Sequence, residues 1–128
     1  MAIKVDWNAV PESTSYAPIP EGTYKAKIVN VTGTKKDGTD FLNKAGEQMW
    51  SIKFEIIEGD YAKRLIFDSF NVENPSKMQK AKALYTVVFG SKLPSKLDET
   101  DLIDEEVMID VTIKDGRNEI PFGGYHTV

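Results

Sequence analysis

The chain has no cysteine, a single histidine and no long apolar run. Without cysteine, disulfide stapling, a thiolate nucleophile and cysteine-bound zinc are all excluded, in keeping with a reducing compartment. Its apolar stretches fall far short of the roughly 20 residues that cross a bilayer. The opening Met1-Ala2-Ile3-Lys4-Val5-Asp6-Trp7 is too polar for the apolar region of a secretory signal. No membrane partner is expected, and a cytoplasmic protein is the simplest reading. The one histidine, His126, stands third from the C-terminus, where chains fray, whereas a Ser-His-Asp relay needs a rigidly held imidazole. No Asp-x-Lys or Glu-x-Lys tripeptide, a frequent mark of metal nucleases, occurs. Walker A and dinucleotide-binding glycine patterns are missing as well. The acidic run Asp98, Glu99, Asp101, Asp104, Glu105 and Glu106 lacks the spacing and central glycine of a calcium loop and reads as a solvated linker. Nothing here supports an enzyme, and no cofactor or metal is implied.

A chain of 128 residues is one domain by length, large enough to bury its own core. The net charge of −4 disfavours a polyanion partner at first sight. Its distribution points the other way: Thr23 to Lys96 holds 13 Lys and Arg against 8 Asp and Glu, a balance of +5. Residues 1–22 carry −2 and residues 97–128 carry −7. Such segregation suits a basic groove on an acidic domain, although plain scatter of surface charge produces it equally well.

Residues 1–22 hold Pro11, Pro18 and Pro20 with Ser13, Thr14 and Ser15, and read as an extended arm anchored by Trp7 and Tyr16. Residues 23–128 form the domain proper. A first strand, about Thr23 to Thr32, alternates Tyr24, Ala26 and Ile28 with Lys25 and Lys27 before the pattern blurs at Val29 and Val31, as in a bent barrel strand. A polar loop follows to Gly46, in which Phe41 and Leu42 fit either a hydrophobic latch or a ligand contact. A second strand, about Glu47 to Glu58, puts Trp50, Ile52, Phe54 and Ile56 on its core face. The third, about Arg64 to Val72, sets Ile66, Phe70 and Val72 with Asp68 against Leu65, Phe67, Ser69 and Asn71. A helix over 75–90 is punctuated by Asn74 as N-cap, Pro75 in the first turn and Gly90 at the end, with Met78, Ala81, Leu84, Tyr85 and Val88 as its buried stripe. A fourth strand turns Val107, Ile109, Val111 and Ile113 inward, and Asp115-Gly116 joins it to a fifth over about Arg117 to Phe122.

This β-β-β-α-β-β order defines the expectation: a mainly β protein, a five-stranded barrel of the oligonucleotide/oligosaccharide-binding (OB) type with an extended N-terminal arm. In that architecture the face of strands 2 and 3, with the flanking loops, takes single-stranded nucleic acid or sugars. The candidate contacts are Lys25 and Lys27 on strand 1, Lys35, Lys36 and Lys44 on the following loop, Lys53 on strand 2, and Lys63 and Arg64 opening strand 3. Tyr61 and Phe67 are the candidate stacking rings. Phe67 fits a core position as well as a base platform, and each lysine also fits a solubilising role.

Three stretches carry a family resemblance: Pro20-Glu21-Gly22-Thr23-Tyr24, the run Trp50 to Tyr61, and Arg64 through Asn74-Pro75. Asp6-Trp7 and Asn118-Glu119-Ile120 extend it over most of the chain. The sequence resembles short bacteriophage and prophage proteins catalogued as a domain of unknown function and encoded among phage replication and recombination genes. That resemblance implies a phage single-stranded-DNA-binding protein, or an accessory to a phage recombinase or polymerase, working in the host-cell cytoplasm. It carries no established functional residues. The separate acidic C-terminal tail of bacterial single-strand-binding proteins is lacking, the acidic run here being internal. The expected partner is therefore single-stranded DNA, bound with little sequence preference, with phage replication or recombination proteins as a second class and self-association left open.

Overall fold

The computed structural model describes residues 2–6 and 17–128. The anchors expected at Trp7 and Tyr16 lie outside the described residues. Among the described residues there are six strands and one α-helix: β1 (Gly22–Thr32), β2 (Met49–Ile56), β3 (Leu65–Asn71), α1 (Gln79–Phe89), β4 (Glu106–Lys114), β5 (Arg117–Glu119) and β6 (Tyr125–His126). All strand pairs are antiparallel, in the order β3-β2-β1-β4-β5, with β6 and β5 taking successive stretches of the second edge of β4. The fold is mainly β, a curled antiparallel half-barrel with the β-β-β-α-β-β order of the OB type. β3 and β5, the two ends of that path, do not pair, so the barrel stays open along one seam.

Local chemistry accounts for most of these elements. In β1 the ladder to β2 slips between Ile28 and Asn30, so Val29 is an extra residue. This bulge keeps both Ile28 and Val31 in the core although they are three residues apart, and it supplies the bend a curled sheet needs. Asp115 and Gly116 both adopt positive φ (51° and 76°), the arrangement of a type I′ hairpin. Asn74 caps the helical segment, its Oδ1 accepting from Ser76 N at 3.2 Å. The segment starts as a single 3-10 turn (Pro75–Lys77), however, and becomes α-helical only at Gln79. Gly90 ends it at φ 65°.

The core is built from Ile28, Ile52, Phe54, Ile56, Val107, Ile109 and Val111 of the sheet, closed at one end by Ala81, Leu84 and Tyr85 of α1. Four expectations need correction. Ile113 is exposed, because β4 runs past the core into the hairpin. The fifth strand is only three residues long; the chain then turns at Pro121 and returns as β6, which holds His126 against Met108. His126 is thus no frayed end: its Nε2 lies 2.8 Å from Asp110 Oδ2. The acidic connection is no free linker either. Leu102 within it is fully buried, and β1 binds it through Ile28 N to Glu105 O (2.9 Å) and Asp104 N to Ile28 O (2.8 Å).

Asp68 is the one carboxylate on the inward face of β3. Lys80 of α1 donates to both its oxygens at 2.9 Å and to Ile120 O at 2.6 Å, and the Tyr125 hydroxyl donates to Asp68 as well. Burial, and then the Asp68 charge, push the Tyr125 phenol well above its ordinary range, so it stays a donor. Two stability tests follow. Trp50→Ala opens a core cavity and costs about 3–5 kcal/mol. Lys80→Met leaves Asp68 buried without its cation and costs about 3–5 kcal/mol. Denaturant titration measures both, and a loss under about 1 kcal/mol for either contradicts the packing described.

Candidate nucleic-acid interface

The outer face of the sheet is laid out by the register. From the loop end inward, its rows read Thr32-Ser51-Ser69, then Asn30-Lys53-Phe67, then Lys27-Glu55-Leu65. Phe67 faces outward, as the alternation of β3 requires, and is 54% exposed. Lys53, its direct cross-strand partner, places Nζ 5.8 Å from the Phe67 ring centroid. An ammonium over a ring is held there by the ring quadrupole. One face of Phe67 thus meets a cation.

Phe67 also stands where two concavities of the open seam meet. One, about 470 Å3, runs between Phe41, Ser51, Phe67 and Ser69 on one side and Arg117, Asn118 and Glu119 on the other, with Asp68 and Lys80 along it. The second, about 990 Å3, continues between Lys63, Arg64 and Leu65 of the β3 side and Asp115 to Asn118 of the hairpin. Phe67, Arg117 and Asn118 are common to both. Among the described residues Lys53, Lys63 and Arg117 pair with no carboxylate, while Asp68 is neutralised by Lys80. Lys63 sits at φ 74°, a left-handed conformation that glycine adopts without penalty and that costs other residues about 1–2 kcal/mol.

Of the candidate residues, the seam gathers Lys63, Arg64 and Phe67, with Lys53 of β2 over the Phe67 ring. Arg64 also reaches back to Ala17 O at 2.6 Å, tying the approach segment to β3. Lys35 and Lys36 sit at the tip of the β1–β2 loop, which doubles back through a Thr34–Asp40 bridge; Lys44 lies on a second turn after the Leu42–Gln48 bridge begins. Lys25 and Lys27 project from β1 on the other flank, where Glu106 (3.6 Å) and Asp104 (3.5 Å) meet them. Tyr61 is half-buried and packs edge-on against Tyr24, 6.1 Å between centroids, so its ring is engaged in the fold. Phe41, left open between latch and ligand contact, is half-buried and lines the smaller concavity, while Leu42 is exposed. Arg117 and Asn118 were not among the candidates. Their position immediately after the Asp115-Gly116 turn, which brings β5 towards the seam, is the signal that could have found them.

The base of the β1–β2 loop is tied by Glu47. Its Oε1 accepts from Asn43 Nδ2 (3.0 Å), Lys77 Nζ (3.1 Å) and Asn71 Nδ2 (3.2 Å), and its Oε2 from Asn74 Nδ2 (2.6 Å). Asn43 first, then Lys77 and Asn74, hold the carboxyl at about 2, down from its ordinary 4.5. A depressed carboxyl contributes its stability above the unfolded value and loses it as pH falls to the folded one. Glu47→Gln is therefore expected to destabilise the protein above pH 4.5, with the gap to wild type closing between 4.5 and about 2. Thermal melts across that range check this; a gap independent of pH excludes the charge as the cause.

The molecule is thus a small OB-type half-barrel with an aromatic and cationic seam between β3 and β5. A family of proteins of unknown function, DUF669, matches residues 3–122, and the chain belongs to that family. Among curated proteins none matches it.

Proposed function

We propose that the protein binds single-stranded DNA along the β2–β3 face and the open seam, without catalysis and with little sequence preference. The observation that carries this reading is Phe67: an exposed ring on the edge strand β3, one face under Lys53, at the junction of two concavities, both lined by Arg117 and the larger one also by Lys63. Aromatic rings stack on any base, and cations along a groove follow the phosphates, which is how sequence-tolerant single-strand binding works. Lys35, Lys36 and Lys44 extend the cationic path onto the β1–β2 loop. The resemblance to proteins encoded among phage replication and recombination genes supports that setting, in the cytoplasm of the host cell.

A second reading is an interaction module serving a phage recombinase or polymerase. One observation favours it: among the described residues the outer edge of β3 has no strand partner, and an unpaired edge can accept an added strand.

Titration with oligothymidylate separates the two. Phe67→Ala is expected to leave the melting temperature unchanged and to weaken binding by about 1–3 kcal/mol. Replacing Lys53, Lys63 and Arg117 together by Gln is expected to flatten the slope of log K against log salt by about 2, at about 0.7 per phosphate contact. The same change at Lys25 and Lys27, already paired with carboxylates, is expected to alter it less. Affinity that resists salt and ignores all three cations favours the interaction module.

A further inference from the structure

Phe122 is 77% exposed, yet it sits on a tightly built piece of backbone. Gly124 N donates to Pro121 O at 3.0 Å and Gly123 takes φ 77°, so Phe122 occupies the corner of a four-residue turn with glycine in its left-handed position. The turn is anchored on both sides. Ile120 is buried before it, Tyr125 after it, and Asp110 N donates to Gly124 O at 2.8 Å. A Cβ at position 124 would meet Ile120 Cγ2 and Pro121 O at 2.8 Å, so the turn closes only around glycine. The ring itself is fixed from one side: Lys80 Nζ lies 5.5 Å from its centroid. Lys80 cannot swing away, because Asp68 and Ile120 O hold the same ammonium.

This repeats the arrangement at Phe67, where Lys53 stands over the ring. A single exposed apolar side chain on a surface needs no explanation. Two exposed phenylalanines, each on rigid backbone and each with a lysine over one face, are a pattern. Phe67 lines the smaller concavity directly, and the ring of Phe122 meets Lys80, which lines it together with Ile120. Arg117, without a carboxylate partner among the described residues, lines the same concavity as Phe67 and Lys80. Flat hydrophobic rings alternating with cations match the alternation of bases and phosphates in a single strand.

Resting on the single-strand reading above, we infer that Phe122 is a second base-stacking platform, so that a bound strand crosses the seam from Phe67 to Phe122 instead of following the outer face of β1. One ring face of each phenylalanine is taken by its lysine, which leaves the other for a base. The strand must then be long enough to span both rings, and affinity rises in two steps with length.

The test titrates the full chain with oligothymidylates from about 4 to about 16 nucleotides, the span of OB site sizes. Wild type, Phe67→Ala, Phe122→Ala, Phe122→Leu and Phe122→Trp are compared at one salt concentration, each with a thermal melt. Phe122→Ala is expected to match wild type on the shortest oligonucleotides and to bind the longer ones about 5- to 150-fold more weakly, the equivalent of one stacked base. Phe122→Trp is expected to bind as wild type does and Phe122→Leu as Phe122→Ala does, with melting temperatures unchanged throughout. If Phe67→Ala weakens binding while Phe122→Ala equals wild type at every length, the inference is overturned and the single-strand reading stands, leaving the turn to a protein contact. Wild-type affinity in Phe122→Leu overturns ring stacking at this position. A wild-type chain that binds no oligonucleotide of any length overturns the reading beneath both.

Discussion

A carboxylate facing the inside of a barrel must find charge and hydrogen-bond partners or the barrel does not form. Asp68 is that group here, and its partners come from three separate places: Lys80 from α1, the Tyr125 hydroxyl from β6, and through Lys80 the carbonyl of Ile120. The helix is thereby locked over the end of the sheet beside β3 and β6, against which it packs. The return from β5 to β6 is drawn in by the same ammonium. A side of the seam is built by the same atoms, since Asp68 and Lys80 both line the smaller concavity. One polar knot therefore sets the helix position, the path of the last two strands and the shape of the cleft.

The seam itself follows from the shortness of β5. Three paired residues after the hairpin form no ladder with β3, and the space is spanned by other means. The segment before β1 passes there: the Asn118 side-chain amide both donates to Ile19 O and accepts from Ile19 N, each at 2.9 Å, as a neighbouring strand would. Arg64 holds Ala17 from the β3 side, and Ile19 itself is buried in the core. A side chain thus does the work of backbone pairing at one end of the seam, while the rest stays open around Phe67.

What periodicity and turn chemistry could show in the sequence, they showed. The blurred alternation at Val29 and Val31 is the bulge of β1, Asp115-Gly116 is the hairpin, and Asn74 and Gly90 bound the helical segment. Each of these depends on residues within a few positions of one another. The failures are all non-local. Ile113 alternates in step with Val107, Ile109 and Val111, but the core ends before it. Leu102 lies in a run of acids, and only the closeness of β1 makes it a core residue. β6 is two residues long, and it pairs because the Asp68 knot brings it to β4. For the site, β1 showed two lysines on one face, but no feature of that strand could reveal that carboxylates 77 or more positions downstream meet them.

That last pairing bears on how an acidic protein can attract a polyanion. Along the chain the positive charge lies in the middle and the negative charge near the end, as if the whole central region were basic. Folding redistributes it. The acidic connection is bonded to β1 through Ile28, which brings Asp104 to Lys27 and Glu106 to Lys25. The cations of β1 are screened there. Those of the seam, Lys53, Lys63 and Arg117, have no such partner among the described residues. Because salt limits electrostatic reach to about 8–10 Å, an approaching phosphate responds to the local balance and not to the net −4. The acidic run thus pairs the lysines of β1 and leaves the cations of the seam without a carboxylate among the described residues. On the single-strand reading proposed above, Phe67 and the cations without carboxylate partners lie at the same seam.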